Sequence, residues 1–173
     1  MTNRINRLRF TLASAFGVIA IAAVPATAQT VPATGQMTAS ANVTANCTID
    51  TTPLAFGDTN VTDGNAHEGT ATIEVLCTNG TTWTAAADKG QGGTNATMAL
   101  RKMSFGTDTL NYILYTDLAK TAIWGDATTG TATISRVGSG VTQSLSLAGT
   151  IPAGQVGAPK GLYADTIAVT VTY

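Results

Sequence analysis

Apolar and polar residues alternate along most of this sequence. The clearest run is residues 70–77, in which the odd positions are apolar (Ala71, Ile73, Val75, Cys77). A period of two residues is typical of a half-buried β-strand and does not give a helix one apolar face. Similar runs occupy 83–87, 97–103, 110–115, 130–137, 143–151 and 164–173, with turn residues such as Asn79-Gly80 between them. Short strands at this spacing predict an all-β sandwich.

Composition agrees with that fold and excludes several classes of function. Only 11% of the residues are charged, and 33 are Thr, a β-branched residue that suits the outer face of a sheet. Nine basic and ten acidic residues leave a net charge of −1, which provides no basic surface for nucleic acid. With one His, two Cys and no recognisable pair of catalytic carboxylates, we expect no enzymatic activity, metal or cofactor.

Residues 1–28 have the order of features of a secretory signal peptide. A basic start is followed by an uncharged, largely apolar run at 10–24 and by Ala26-Thr27-Ala28, a small-x-small cleavage pattern. The basic residues are Arg4, Arg7 and Arg9. Fifteen residues fall short of the roughly 20 that span a bilayer, so we expect export without membrane insertion. Cleavage would leave 173 − 28 = 145 residues, with six basic and ten acidic side chains and a net charge of −4.

Cys47 and Cys77 are the only two cysteines of the chain. An exported protein meets an oxidising compartment, which favours a disulfide between them. The alternatives are a metal site and a reactive thiol. Two cysteines without neighbouring histidines give little support to the first, and their even number gives little support to the second.

Another alternation begins shortly after the predicted cleavage site. From Gln36 to Cys47 the odd positions are apolar or small and the even positions are polar, with no turn signal inside the run. The preceding leader contains Pro32 and Gly35. A strand here could pair within its own domain or add to the sheet of another copy. Periodicity alone does not distinguish these two interpretations.

The last strand leaves an edge with little protection. Its odd residues Ile167, Val169, Val171 and Tyr173 are predicted to face inward, and no charged side chain follows Asp165. Proteins normally protect such an edge with charge, proline or a bulge. An N-terminal strand without a local partner would complement this edge. Head-to-tail exchange between copies would not close and would produce a fibre.

In their order and spacing these residues resemble the spore coat protein U domain family, the subunit type of archaic (Csu-type) chaperone–usher pili. The matching segments span essentially the whole mature chain. They are Thr34–Gln36, Cys47-Thr48-Ile49, Leu54-Ala55-Phe56-Gly57, Ile73–Cys77, Arg101, Leu110-Asn111-Tyr112, Tyr115, Trp124-Gly125, and Gly161–Thr166 followed by Val169, Val171 and Tyr173.

The resemblance implies an incomplete immunoglobulin-like β-sandwich that lacks its last strand and has an N-terminal donor-strand extension. The expected segments are a signal peptide at 1–28, a leader and donor strand at 29–46, and the sandwich at 47–173. A periplasmic chaperone would first lend a strand. At an outer-membrane usher, the extension of the next subunit, a second copy or a sibling pilin, would replace it. The product would be a cell-surface fimbria used in adhesion and biofilm formation.

The resemblance also implies roles for particular residues. Met37, Ala39, Ala41 and Val43 would be the donor side chains, and Ile167, Val169 and Val171 would line the acceptor groove. Cys47 and Cys77 would join the first two strands of the body. Two alanines are small for a donor strand, and burial of all four side chains would contribute only about 5–6 kcal/mol. Either larger side chains fill the groove from inside, or the junction is less stable.

A second class of function stays open at this point. A secreted, monomeric or coat-associated sandwich could bind carbohydrate or another surface component. Trp124, in a Trp-Gly-Asp turn, could be a sugar-stacking platform, whereas Trp83 is expected in the core. His67 is expected at the surface. The glycine-rich segment 90–93 lacks the context of a phosphate-binding loop.

Overall fold

The computed structural model describes residues 27–173. Most of the predicted signal peptide therefore lies outside the described residues. Among these residues, 27–40 and 41–173 belong to two different compact units. Residues 27–46 carry no strand and are exposed, so the strand predicted for 36–46 is not formed within a single chain. The physical reason is that an isolated strand without a ladder partner has no net source of stability.

Eight β-strands build the larger unit, and the described residues contain no helix. The strands are β1 (Cys47–Thr51), β2 (His67–Cys77), β3 (Thr82–Ala87), β4 (Arg101–Phe105), β5 (Asp108–Leu114), β6 (Ile134–Val137), β7 (Gln143–Ile151) and β8 (Val169–Thr172). One sheet has the order β1-β2-β7-β5-β4 and the other β6-β3-β8. All of these strand pairs are antiparallel. The all-β prediction is confirmed.

The alternation read from the sequence sets the inner face of both sheets. On β2, Ile73, Val75 and Cys77 are buried while the residues between them are more exposed. Trp83, Ala85 and Ala87 of β3 are buried in the same core, as predicted. The core also takes in buried residues of β5, β6 and β7 and Trp124, which follows β5. The two sheets therefore share one apolar interior.

Several strands are shorter than the sequence predicted. Residues 97–100 form a turn in which the Thr97 N–H donates to the Leu100 carbonyl, so β4 starts only at Arg101. The expected strand at 130–137 is confined to β6, and that at 164–173 to β8. Tyr173 was expected to face inward, but 54% of it is exposed. The apolar pattern therefore begins before the first residue of β4, β6 and β8 that has a ladder partner, and at Tyr173 it continues beyond the last one.

Candidate functional site

An open apolar groove lies between the two sheets where β1 ends and the chain approaches β8. Its volume is about 450 Å³. The floor is made by core side chains of the five-stranded sheet and by Trp124, and the rims by residues 51–56 and 163–169. The apolar and aromatic lining residues are Pro53, Leu54, Phe56, Ala71, Ile73, Met103, Tyr112, Leu114, Trp124, Leu147, Tyr163, Ala164, Ile167 and Val169.

The rim formed by β8 is an unpaired strand edge. β8 pairs with β3 on one side and is the outermost strand of its sheet. The Asp88 N–H donates to the Ala168 carbonyl, so the even residues of β8 bond to β3. Because bonding direction alternates along an antiparallel pair, the N–H and C=O groups of Ile167, Val169 and Val171 point to the open side. The even side chains are exposed and the odd ones partly buried.

β1, which leads into the opposite rim at residues 51–56, has the same arrangement. The Thr52 N–H donates to the Thr72 carbonyl and the Thr78 N–H to the Asn46 carbonyl, so the even residues of β1 bond to β2. The backbone groups of Cys47, Ile49 and Thr51 consequently point away from β2, toward the other open edge. Two unpaired edges therefore flank one apolar groove. Such edges are the usual template for an additional strand.

The groove narrows toward the end of the domain that carries the disulfide. There the Tyr173 hydroxyl lies 3.4 Å from the amide oxygen of Asn46, next to the start of β1. At the other end, Thr51 and Thr52 face Ile167 and Val169 across the opening. β1 and β8 thus run in opposite directions, and the open end of the groove, here called the wide end, is the end at which β8 begins.

The predicted acceptor residues lie at this groove, though not all in the same way. Ile167 and Val169 line it, whereas Val171 packs against the core beyond its narrow end. Of the predicted donor residues, Met37 is 96% and Val43 81% exposed, and Ala39 and Ala41 are exposed as well. All four side chains of the predicted donor stripe are therefore exposed in the single chain.

Cys47 and Cys77 form the predicted disulfide, which joins the start of β1 to the end of β2. The two residues face each other in the β1–β2 register. The bond fixes β1, which leads into one rim of the groove, to its neighbour β2 in the five-stranded sheet.

Replacing both cysteines by Ala is expected to lower the free energy of unfolding by about 3.5 kcal/mol, because the crosslink closes a loop of 30 residues. Urea denaturation of the wild type and the double variant measures this difference. A reductant should destabilise the wild type and leave the variant unchanged. Equal stability of the two proteins under oxidising conditions would contradict the assignment of a stabilising role.

A buried arginine supports the wide end of the groove. Arg101, the first residue of β4, is fully buried. Its Nε donates to the Asp88 carbonyl, its Nη1 to the Met98 carbonyl, and its Nη2 to the carbonyls of Ala87 and Trp124. Burial lowers the pKa of its guanidinium, whereas the nearby Asp88 and Asp165 favour the charged form. Arg101 thus connects the end of β3 to Trp124, which forms part of the groove floor.

Tyr112 and Asp165 form a polar contact inside the groove. The Tyr112 hydroxyl donates to Oδ2 of Asp165 over 2.5 Å. Burial, and after it this hydrogen bond, raise the pKa of Tyr112 well above its usual value. The phenol is therefore kept neutral and acts as a donor to the carboxylate.

The structure places Trp124, whose role the sequence did not decide, and His67, which was expected at the surface. Trp124 is buried, and its indole N–H donates to the Ala85 carbonyl, which leaves no exposed ring for stacking on a sugar. His67 is partly exposed and its Nε2 lies 2.9 Å from the Asn60 carbonyl. Within residues 27–173, no group of His, Cys, Asp and Glu side chains is placed to hold a metal ion.

Sequence reasoning missed the rim at residues 51–56 and the roles of Tyr112 and Asp165. Tyr112 and Asp165 were noticed only as parts of family motifs. A rim that belongs to a loop has no periodic pattern by which the sequence could reveal it.

Residues 27–173 contain no helix that is long and apolar enough to cross a membrane.

Comparisons with known proteins agree with this architecture. Residues 33–170 match the model of the Spore Coat Protein U domain. A curated relative, Protein U of Myxococcus xanthus, is 37% identical over 112 residues, which are 61% of this chain and 60% of that protein. A solved structure, the CsuC–CsuE chaperone–tip adhesion subunit pre-assembly complex from archaic chaperone–usher Csu pili of Acinetobacter baumannii, matches with a TM-score of 0.56 and 18% identity. That match covers 76% of this chain and 40% of the other. This chain therefore spans less than two thirds of the length of either protein.

Proposed function

Because this chain belongs to the Spore Coat Protein U domain family, we propose that it is a structural pilus subunit that polymerises by donor-strand exchange into a surface fimbria. The observation that carries the proposal is the apolar groove flanked by two unpaired strand edges. The family and the fold are of a structural kind, and neither suggests an enzyme.

The length of the predicted donor stripe supports this assignment. Met37 to Val43 spans six residue steps, or about 20 Å in an extended strand. The groove edge from Asp165 to Val171 also spans six steps. A donor strand paired with this edge could therefore place one odd side chain opposite each odd residue of the rim.

The size of the groove-lining residues bears on the small donor side chains. The acceptor side itself supplies large rings, those of Phe56, Tyr112, Trp124 and Tyr163. This supports the interpretation in which the groove is filled from inside, so that Ala39 and Ala41 fit against it. The added backbone ladder then provides much of the stability of the junction.

The partners follow from the same proposal. An empty groove exposes apolar surface and strand edges, so the subunit needs a strand from a periplasmic chaperone before it reaches an outer-membrane usher. The solved neighbour is itself described as a chaperone complex of a pilus subunit, which supports this expectation. Copies of this chain or sibling pilins would then supply donor strands. The exported product would be a surface fimbria that serves adhesion and biofilm formation.

The test is the behaviour of the purified mature chain without its chaperone. Donor-strand polymers should give a ladder of bands on a denaturing gel without heating, and boiling should collapse the ladder to a monomer. A reference sample heated before loading controls for covalent crosslinks. A single, stable monomer that binds carbohydrate would instead support a secreted binding module and overturn the proposal.

A further inference from the structure

The groove edge beside Asp165 has no ladder partners. Ala164 exchanges both backbone hydrogen bonds with Ser104 of β4, in the five-stranded sheet. From Ala168 onward the chain bonds to β3, in the other sheet. Residues 165–167 therefore cross from one sheet to the other, and Ile167 lines the groove within this crossing.

One carboxylate holds the crossing in place. Oδ1 of Asp165 accepts from the Gln91 N–H at 2.7 Å and from the Thr166 N–H at 2.8 Å, while Oδ2 accepts from the Tyr112 hydroxyl. Without it, two backbone donors and one phenol at the rim would lose their partner. Both N–H groups are exposed, so water would pair with them, but no side chain would then join the loop at Gln91 to the crossing.

The neighbouring loop is shaped to receive this carboxylate. Gly90 has a φ of +77°, and a Cβ at that position would overlap the Asp165 carboxylate. Oδ1 of Asp88 accepts from the N–H groups of Gly90 and Ala168, which joins the same loop to the start of β8. The loop, the crossing and Tyr112 on the groove floor thus meet at Asp165.

We propose that Asp165 is a positioning residue for strand uptake, because its carboxylate holds residues 165–167 extended so that Ile167 faces the incoming donor strand. This inference rests on the proposed donor-strand function. Asp165 lies at the wide end of the groove. Its contribution to binding should therefore depend on the side chains at only one end of the donor strand.

The experiment measures binding of a fluorescent peptide of residues 34–46 to the full mature chain by anisotropy. The chain carries Ala39→Asp and Ala41→Asp, so that its own extension does not compete. Two further peptides carry Met37→Ala or Val43→Ala. Each is measured against chains with Asp165, Asp165→Ala or Asp165→Asn. Asp63→Ala is the matched control, because Asp63 also accepts a backbone N–H in a loop but does not line the groove.

Asp165→Ala should weaken binding of the unaltered peptide by roughly tenfold. Of the two truncations, Met37→Ala and Val43→Ala, the one that lies at the wide end of the groove should reduce affinity much less in the Asp165→Ala chain than in the parent. The other truncation should reduce affinity equally in both chains, since only contacting groups are coupled. Asp165→Asn keeps a side-chain oxygen and should stay within about threefold of the parent, as should Asp63→Ala.

Equal losses for all three peptides would mean that Asp165 only stabilises the fold, and that result would overturn the positioning role. Unchanged binding in Asp165→Ala would overturn it as well. A parent chain that takes up no peptide would instead contradict the proposed function, and the inference would fall with it. The two failures are therefore distinguishable.

Discussion

Ala39→Asp or Ala41→Asp should abolish polymerisation of the mature chain. On the donor-strand account, both methyl groups enter an apolar groove whose floor includes Tyr112 and Trp124. A carboxylate buried there without a partner costs several kcal/mol, which is comparable to the roughly 5–6 kcal/mol that the four donor side chains provide. Electron microscopy and unheated denaturing gels should show monomers, and the chaperone-bound subunit should stay soluble.

The donor segment offers its own matched controls. Thr38 and Ser40 occupy the alternate face, which would point to solvent after strand addition. Thr38→Asp and Ser40→Asp introduce the same charge one residue away and should leave fibre formation intact. Normal fibres from Ala39→Asp and Ala41→Asp, or equal loss in all four variants, would contradict the assigned face.

Arg101→Met should lower the free energy of unfolding by about 3–5 kcal/mol, because several buried or partly buried carbonyls lose their donor at once and each unpaired polar group costs about 1–3 kcal/mol. The carbonyls of Asp88, Met98, Ala87 and Trp124 would each lose a donor. Chemical denaturation of the chain filled with donor peptide measures the effect.

Arg136 provides the control for this prediction. It lies on β6, is exposed, and donates only to the carbonyl of the adjacent Ser135. Arg136→Met should change the free energy of unfolding by less than about 0.5 kcal/mol. Similar stability of the two methionine variants would show that the buried hydrogen bonds of Arg101 contribute little.

Periodicity predicted β2 to β8 because one side of each of these strands contacts the shared core, whereas β1 (Cys47–Thr51) matches none of the predicted runs, since the alternation before it ends at Cys47. The alternation at 70–77 and 83–87 is set by contact with the shared core, and the structure buries the predicted residues. Periodicity overestimated strand length at 97–100 and 164–168, because an apolar pattern records which side faces the core and not whether a neighbour supplies hydrogen bonds. Tyr173 shows the same limitation at the end of β8.

Only part of the groove could be predicted from the sequence. Ile167 and Val169 follow from alternation along the last strand, and the Cys47–Cys77 disulfide follows from export. The rim at residues 51–56 and the Tyr112–Asp165 contact depend on segments that are far apart in the chain and carry no repeating pattern. A buried arginine bonded to four carbonyls is likewise a property of the folded chain, since nothing in the local sequence distinguishes Arg101 from Arg136.

The most direct test of donor-strand exchange mixes two chains, each lacking one half of the junction. The first carries Ala39→Asp and retains its groove; the second carries Ile167→Asp and retains its donor stripe. Each should stay monomeric alone, and the mixture should give a single dimer that resists denaturant until it is boiled. A ladder from either chain alone, or a mixture that remains monomeric while both chains are folded, would contradict the account.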